Sequence, residues 1–156
     1  MDRLVAGFAA RSLYPGSRFV VDFGTATTFD VLSREGAYMG GFILPGVGST
    51  LRVFSECALL PKKIILTPRA SVRGSCRIPR DTQESIQRGL LEGFTLLVNA
   101  FVNKYSKALS VSSRVPVVIT GGDAVYFLKD MDFPLVYEPL LVAKGLCVLA
   151  RKPSLF

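Results

Sequence analysis

Hydrophobic positions along the chain recur in two rhythms, one helical and one of strands. In residues 2–13 (DRLVAGFAARSL), Leu4, Val5, Phe8, Ala9 and Leu13 fall on one helical face, and Pro15-Gly16 ends that helix. RFVVDFG (18–24), TTFDVLS (27–33) and AYMGGFILP (37–45) then read as strands rich in β-branched and aromatic residues. Their joints, Gly24-Thr25-Ala26 and Arg34-Glu35-Gly36, are short enough for hairpins, which makes the three strands antiparallel neighbours. A weaker helix over 47–59 follows Pro45-Gly46, and KIILT (63–67) is a short strand or extended segment.

The longest pattern runs from Asp81 to about Leu109. Ile86, Leu90, Phe94, Leu97, Val98, Phe101 and Tyr105 recur there at spacings of three and four, with Asp81 or Thr82 as N-cap. Gly89 and Gly93 interrupt it, and each costs about 1 kcal/mol relative to Ala. Close approach of another helix or backbone would offset that cost. PVVIT (116–120) is a buried strand ending in Gly121-Gly122, followed by a short helix over 123–130, a strand PLVYE (134–138) and a closing helix over 140–151.

Three meandering strands followed by helix, strand, helix, strand and helix imply an α/β fold with a mixed sheet and helices on both faces. This is the element order of a ribonuclease-H-like lobe, as in the actin-like ATPases and the acetate and sugar kinases. The 156 residues, about half of them hydrophobic, suffice for one such domain.

Composition narrows the chemistry. The chain has no histidine, so a Ser-His-Asp or Cys-His nucleophile system and a His metal site are excluded, and acid–base work falls to carboxylates, Lys, Tyr or Cys. Its three cysteines, Cys57, Cys76 and Cys147, are far apart and odd in number. That pattern suits a reducing, cytoplasmic setting rather than a disulfide framework. No apolar run approaches the ~18–20 residues of a membrane span. Nineteen Lys and Arg against twelve Asp and Glu give a net charge of +7, which favours anionic partners. Arg69, Arg73, Arg77 and Arg80 form the densest basic stretch. No aromatic residue interleaves with them, which argues against a nucleic-acid base-stacking surface.

The most informative stretch is DFGTATT (22–28). Asp22 ends a strand, Gly24 permits a tight turn, and hydroxyls with backbone N–H groups line the hairpin. Such a turn can gather donors around a phosphate, with the Asp22 carboxylate holding a cation alongside. The same polar side chains could equally satisfy local backbone groups. Thr120-Gly121-Gly122, at the end of a buried strand, lets a flat ligand approach the backbone or makes a plain turn. Gly40-Gly41 with Pro45-Gly46 marks a bent strand and a turn. Asp2-Arg3, taken alone, is a solvated helix start.

Together these stretches resemble the type III pantothenate kinase family of the same superfamily. The resemblance is carried by Asp2-Arg3-Leu4-Val5-Ala6 (family G-A-D-R-L-V-A), DFGTATTFDV (22–31) and GGFILPG (40–46) with Ser49. It continues through Leu60-Pro61, DTQESIQRG (81–89, family N-T-x-x-A-I-Q-S-G), TGG (120–122) and Gly145-Leu146, in family order over almost the whole chain. It implies Asp2 as the general base on the pantothenate hydroxyl, with Arg3 and Thr82 as substrate-binding residues. It further implies Asp22 as ligand of a monovalent cation (K+ or NH4+) and Thr25 as the ATP-binding threonine. The implied reaction is γ-phosphoryl transfer from Mg2+-bound ATP to pantothenate, giving 4′-phosphopantothenate in coenzyme A biosynthesis, with the substrate pocket completed in a homodimer.

There are departures. The family's D-x-G-N-T strand-turn, which lies in a first lobe, occurs nowhere in the 156 residues, Arg88 replaces a serine, and Lys144 stands where the family tends to have an acid. The expectation is therefore a single C-terminal lobe, residues 1–156, whose activity requires an N-terminal lobe from a longer reading frame or a separate chain. The alternative is a non-catalytic relative that binds an acidic metabolite or a protein partner.

Overall fold

The computed structural model describes residues 2–57, 59–61, 63–66 and 77–151. In chain order, α1 (Asp2–Leu13) leads to β1 (Phe19–Phe23), β2 (Ala26–Leu32) and β3 (Tyr38–Pro45). Next come α2 (Val47–Glu56), α3 (Thr82–Ala108), β4 (Val117–Thr120), β5 (Leu135–Tyr137) and α4 (Leu141–Ala150). The strands form one sheet in the order β3-β2-β1-β4-β5, with β1–β2 and β2–β3 antiparallel and β1–β4 and β4–β5 parallel. This is the mixed ribonuclease-H-like sheet that the element order implies.

Alternation along β1 divides the core in two. Phe19, Val21 and Phe23 point to one face, where they meet Phe29, Val31 and Val47 and the Leu91, Val98 and Val102 stripe of α3. Val20 points to the other face with Leu32 and Val118, under Ala6, Ala9 and Ala10 of α1 and Leu141 of α4. Each fully buried large side chain contributes about 1.5–3 kcal/mol. Because α1 presents alanines, α4 can come close. A Cβ at Gly145 would lie 2.8 Å from the Ala9 Cβ and 3.0 Å from the Val5 carbonyl oxygen.

Asp81 is the N-cap of α3, its carboxylate accepting from the Glu84 N–H at 2.8 Å. The expected close approach at Gly89 and Gly93 is not found, since nothing among the described residues comes within 4 Å of a Cβ at either. Both glycines instead line an open apolar groove with Leu44, Leu90 and Phe94. Residues 123–130 do not make one helix. They form two 3-10 turns, Gly122–Tyr126 and Leu128–Asp130, because Gly121 with φ of 94° turns the chain back under the sheet. Residues 63–66 join no strand, and Gln87 of α3 donates to the Ile65 carbonyl. Of the basic stretch, Arg77 pairs with Glu84, whereas Arg69 and Arg73, like Cys76, lie outside the described residues. No described helix is long and apolar enough to cross a membrane.

Candidate active site

The carboxyl ends of the parallel strands β1 and β4 place Asp22 beside Thr120. Asp22 also pairs with Thr28 across the β1–β2 ladder, and Val20 pairs with Asp30. Paired residues share a face, and Val20 faces α1, so Asp22, Thr120, Thr28 and Asp30 all face α1 as well. The first turn of α1 carries Asp2 and Arg3 onto this group.

Asp30 is 1% exposed and is held on all sides. Its Oδ1 accepts from Arg3 Nε and from the Tyr38 hydroxyl, each at 2.8 Å, and its Oδ2 accepts from the Thr28 hydroxyl at 3.2 Å. Arg3 Nη2 makes a 2.5 Å ion pair with the same carboxylate. Gly41 allows this arrangement, because a Cβ there would lie 2.8 Å from both the Arg3 guanidinium and Asp30 Oδ1. The Tyr38 phenol titrates above its ordinary value, through burial and through its hydrogen bond to Asp30.

Among the described residues, no such cation pairs with Asp22. Burial pushes its carboxyl above the ordinary range, and the negative charges of Asp30 and Asp2 push it the same way. A cation beside Asp22 would relieve both effects, so the residues fit a hard cation bound through carboxylate and neutral oxygens. No group of three or more His, Cys, Asp or Glu able to hold a metal occurs among the described residues. The donor set thus fits Mg2+ only as an ion carried largely by phosphate oxygens.

On the other side of β1, the hairpin tip meets α2 and the turn after β4. The Thr25 carbonyl accepts from the Gly46 N–H at 3.0 Å and from the Ser49 hydroxyl at 2.9 Å, which fixes the tip while Thr25 itself stays exposed. Gly121 passes so close to the Phe23 carbonyl and the Asp22 carboxylate that a Cβ would overlap them, and its φ of 94° suits glycine alone. A pocket of about 320 Å³ opens here, lined by Gly24, Thr25, Ser49, Arg52, Gly122 and Asp123. Burial raises the Asp123 carboxyl above the ordinary value, with the nearby Gly48 N–H opposing it.

Three of the sequence-derived site residues, Asp2, Arg3 and Asp22, therefore come together, with Thr25 on the adjoining hairpin. Thr82 is elsewhere. It opens α3 and lines a separate groove with Phe54, Pro79, Asp81, Ser85 and Ile86. Sequence reading missed Asp30, Tyr38 and Asp123. Asp30 leaves one trace, a second polar residue two positions after Thr28 in an otherwise apolar strand. Tyr38 and Asp123 leave none.

Comparison with known proteins gives a consistent result. The profile of the type III pantothenate kinase family matches residues 1–104. The type III pantothenate kinase of Dehalococcoides mccartyi is 39% identical over 149 residues, which are 95% of this chain and 55% of that protein. The chain spans about half the length of the curated relatives it matches. Among solved structures, a protein of Campylobacter jejuni assigned to a Baf family of transcriptional activators superposes with a TM-score of 0.64. That match has 24% identity and covers 95% of this chain and 63% of the other. The ethanolamine utilization protein EutJ of Carboxydothermus hydrogenoformans gives 0.51 at 20% identity, covering 92% and 53%. These two likenesses concern the fold, and the relatives concern descent: the chain belongs to the type III pantothenate kinase family.

Proposed function

We propose that this chain forms the C-terminal wall of a pantothenate kinase cleft, in which ATP phosphorylates pantothenate to 4′-phosphopantothenate on the way to coenzyme A. The observation that carries this reading is the meeting of Asp2, Arg3 and Asp22 at the carboxyl end of β1, beside the Thr25 hairpin. Asp2 accepts the proton of the pantothenate hydroxyl as its oxygen attacks the γ-phosphorus, and ADP leaves with the bridging electron pair. Arg3, its position fixed by Asp30 and Tyr38, directs positive charge at the substrate carboxylate. Thr25 meets the ATP phosphates, and Asp22 holds the monovalent cation. Mg2+ and that cation, when bound, neutralise charge that develops on the phosphates.

Thr82 lies in a different groove from Asp2 within one chain, which supports a homodimer in which a second copy brings Thr82 to the substrate. The length shared with the relatives supports catalysis by this chain together with the remaining half of such an enzyme. A second reading, a non-catalytic relative that binds an acidic metabolite or a protein partner, draws on the net charge of +7. Calorimetric titration of the chain with pantothenate and with ATP separates the two. The kinase reading expects heat from both ligands, with pantothenate binding weakened at least tenfold by Arg3→Ala. Binding of neither ligand by folded protein would overturn it.

A further inference from the structure

Helix α3 carries Glu84, Arg88 and Glu92 one turn apart on a single stripe, and Arg88 is buried, at 7% exposure. A buried guanidinium needs partners for its fixed fork of donors. Arg88 Nε and Nη2 grip the Glu92 carboxylate, while Nη1 donates to the Arg77 carbonyl, 11 positions earlier. The Arg77 guanidinium in turn pairs with Glu84. Arg77 is therefore tied twice to the same stripe of α3, its carbonyl by Arg88 and its side chain by Glu84. Further on, the Asp81 carboxylate accepts from the Glu84 N–H, and its carbonyl accepts from the Ser85 hydroxyl at 2.7 Å. Between these anchors lies Pro79, whose ring fixes φ. The chain from Arg77 to Asp81 is thus held at each end and stiff in the middle. It delivers Thr82 to the groove that Phe54, Pro79 and Ile86 line. Without such anchors, the first turn of a helix frays.

We propose that Arg88 is a positioning residue for Thr82. By holding the Arg77 carbonyl against α3, it fixes the entry to the helix, and with it the Thr82 hydroxyl that meets pantothenate. The proposal rests on the reading of Thr82 as a substrate-binding residue. Its physical content is preorganisation, since a ligand that must first order the helix start binds more weakly.

Amide hydrogen exchange and calorimetry of the chain test it together. Arg88→Met keeps the bulk of the side chain and removes its donors. In that variant the Glu84 and Ser85 amides, which bond to Asp81, should exchange at least about tenfold faster, with those of Val98 and Val102 unchanged. Pantothenate affinity should fall about tenfold while ATP affinity stays as in the wild type. Arg88→Lys keeps a donor for the carbonyl but not the planar fork, so it should show both effects at smaller amplitude, and it carries the test if the methionine variant unfolds. Thr82→Ala alone should weaken pantothenate, and Arg88→Met added to it should weaken it no further. Unchanged exchange at Glu84 and Ser85 would overturn the proposal, as would additive losses in the double variant or an equal loss of ATP affinity. Full pantothenate affinity in Thr82→Ala would instead overturn the substrate reading of Thr82, and the exchange result alone would then decide whether Arg88 holds the helix start.

Discussion

Asp30 accepts hydrogen bonds from Arg3, Tyr38 and Thr28, whereas Asp22, on the same face, is half-buried with the charges of Asp30 and Asp2 against it. The first carboxylate is a fixture, and the second is the one proposed to hold a cation. Because the folded state raises the Asp22 pKa, it binds that proton more tightly than the unfolded chain does. This contribution to stability is complete below the unfolded value and is lost as pH rises through the raised one. Asp22→Asn should therefore gain thermal stability relative to the wild type as pH rises from 3 to 7, measured as the difference in Tm at each pH. Potassium should raise the wild-type Tm near neutral pH but leave Asp22→Asn unmoved. A constant difference across pH would refute the raised Asp22 pKa, and an equal potassium effect would refute the cation role. Asp30→Asn should destabilise the fold by about 2–3 kcal/mol, since it weakens charge-assisted hydrogen bonds around a buried group. By removing a like charge, it should also lower the Asp22 pKa, readable in a carboxyl NMR titration.

Among the elements, glycines separate packing from exposure. At Gly145, where α4 crosses α1, Gly145→Ala would press on Ala9 and Val5 and should destabilise by about 1–3 kcal/mol. At Gly89 and Gly93 a Cβ meets nothing within 4 Å among the described residues, so each Ala substitution should stabilise an isolated chain by up to about 1 kcal/mol through helix propensity. Denaturant unfolding of the three variants checks both signs. The strands and helices were legible from the sequence because turn chemistry and periodicity are local: Pro15-Gly16 ends α1, Asp81 caps α3, and short joints make the hairpins. The two 3-10 turns after β4 were not, since their course depends on Gly121 packing against the Phe23 carbonyl, a contact across the sheet. The same limit applies to the site. Asp22 and Thr25 stand in a motif, but Asp30 gains its role from register with β1 and β3 and from Arg3 27 positions earlier, and Asp123 from the pocket that the hairpin, α2 and the turn after β4 line together.

Across the whole molecule, one sheet face is covered by α1 and α4 and the other by α2, α3 and the 3-10 turns, and the site lies where the parallel strands end. Apolar side chains remain exposed, Ile43, Val53 and Leu96 among them, and a net charge of +7 surrounds them. In the proposed cleft, such a surface would meet a second protein wall and anionic substrates. The absence of histidine is no handicap to phosphoryl transfer that relies on carboxylates, hydroxyls and cations. The most direct measurement follows the γ-phosphoryl group. Pantothenate and γ-labelled ATP are incubated with this chain and the N-terminal half of a type III relative, using wild-type protein and Asp2→Asn. The account predicts labelled 4′-phosphopantothenate from the wild type and a loss of at least about 100-fold with Asp2→Asn. No labelled product from two folded halves, or undiminished product with Asp2→Asn, would contradict it.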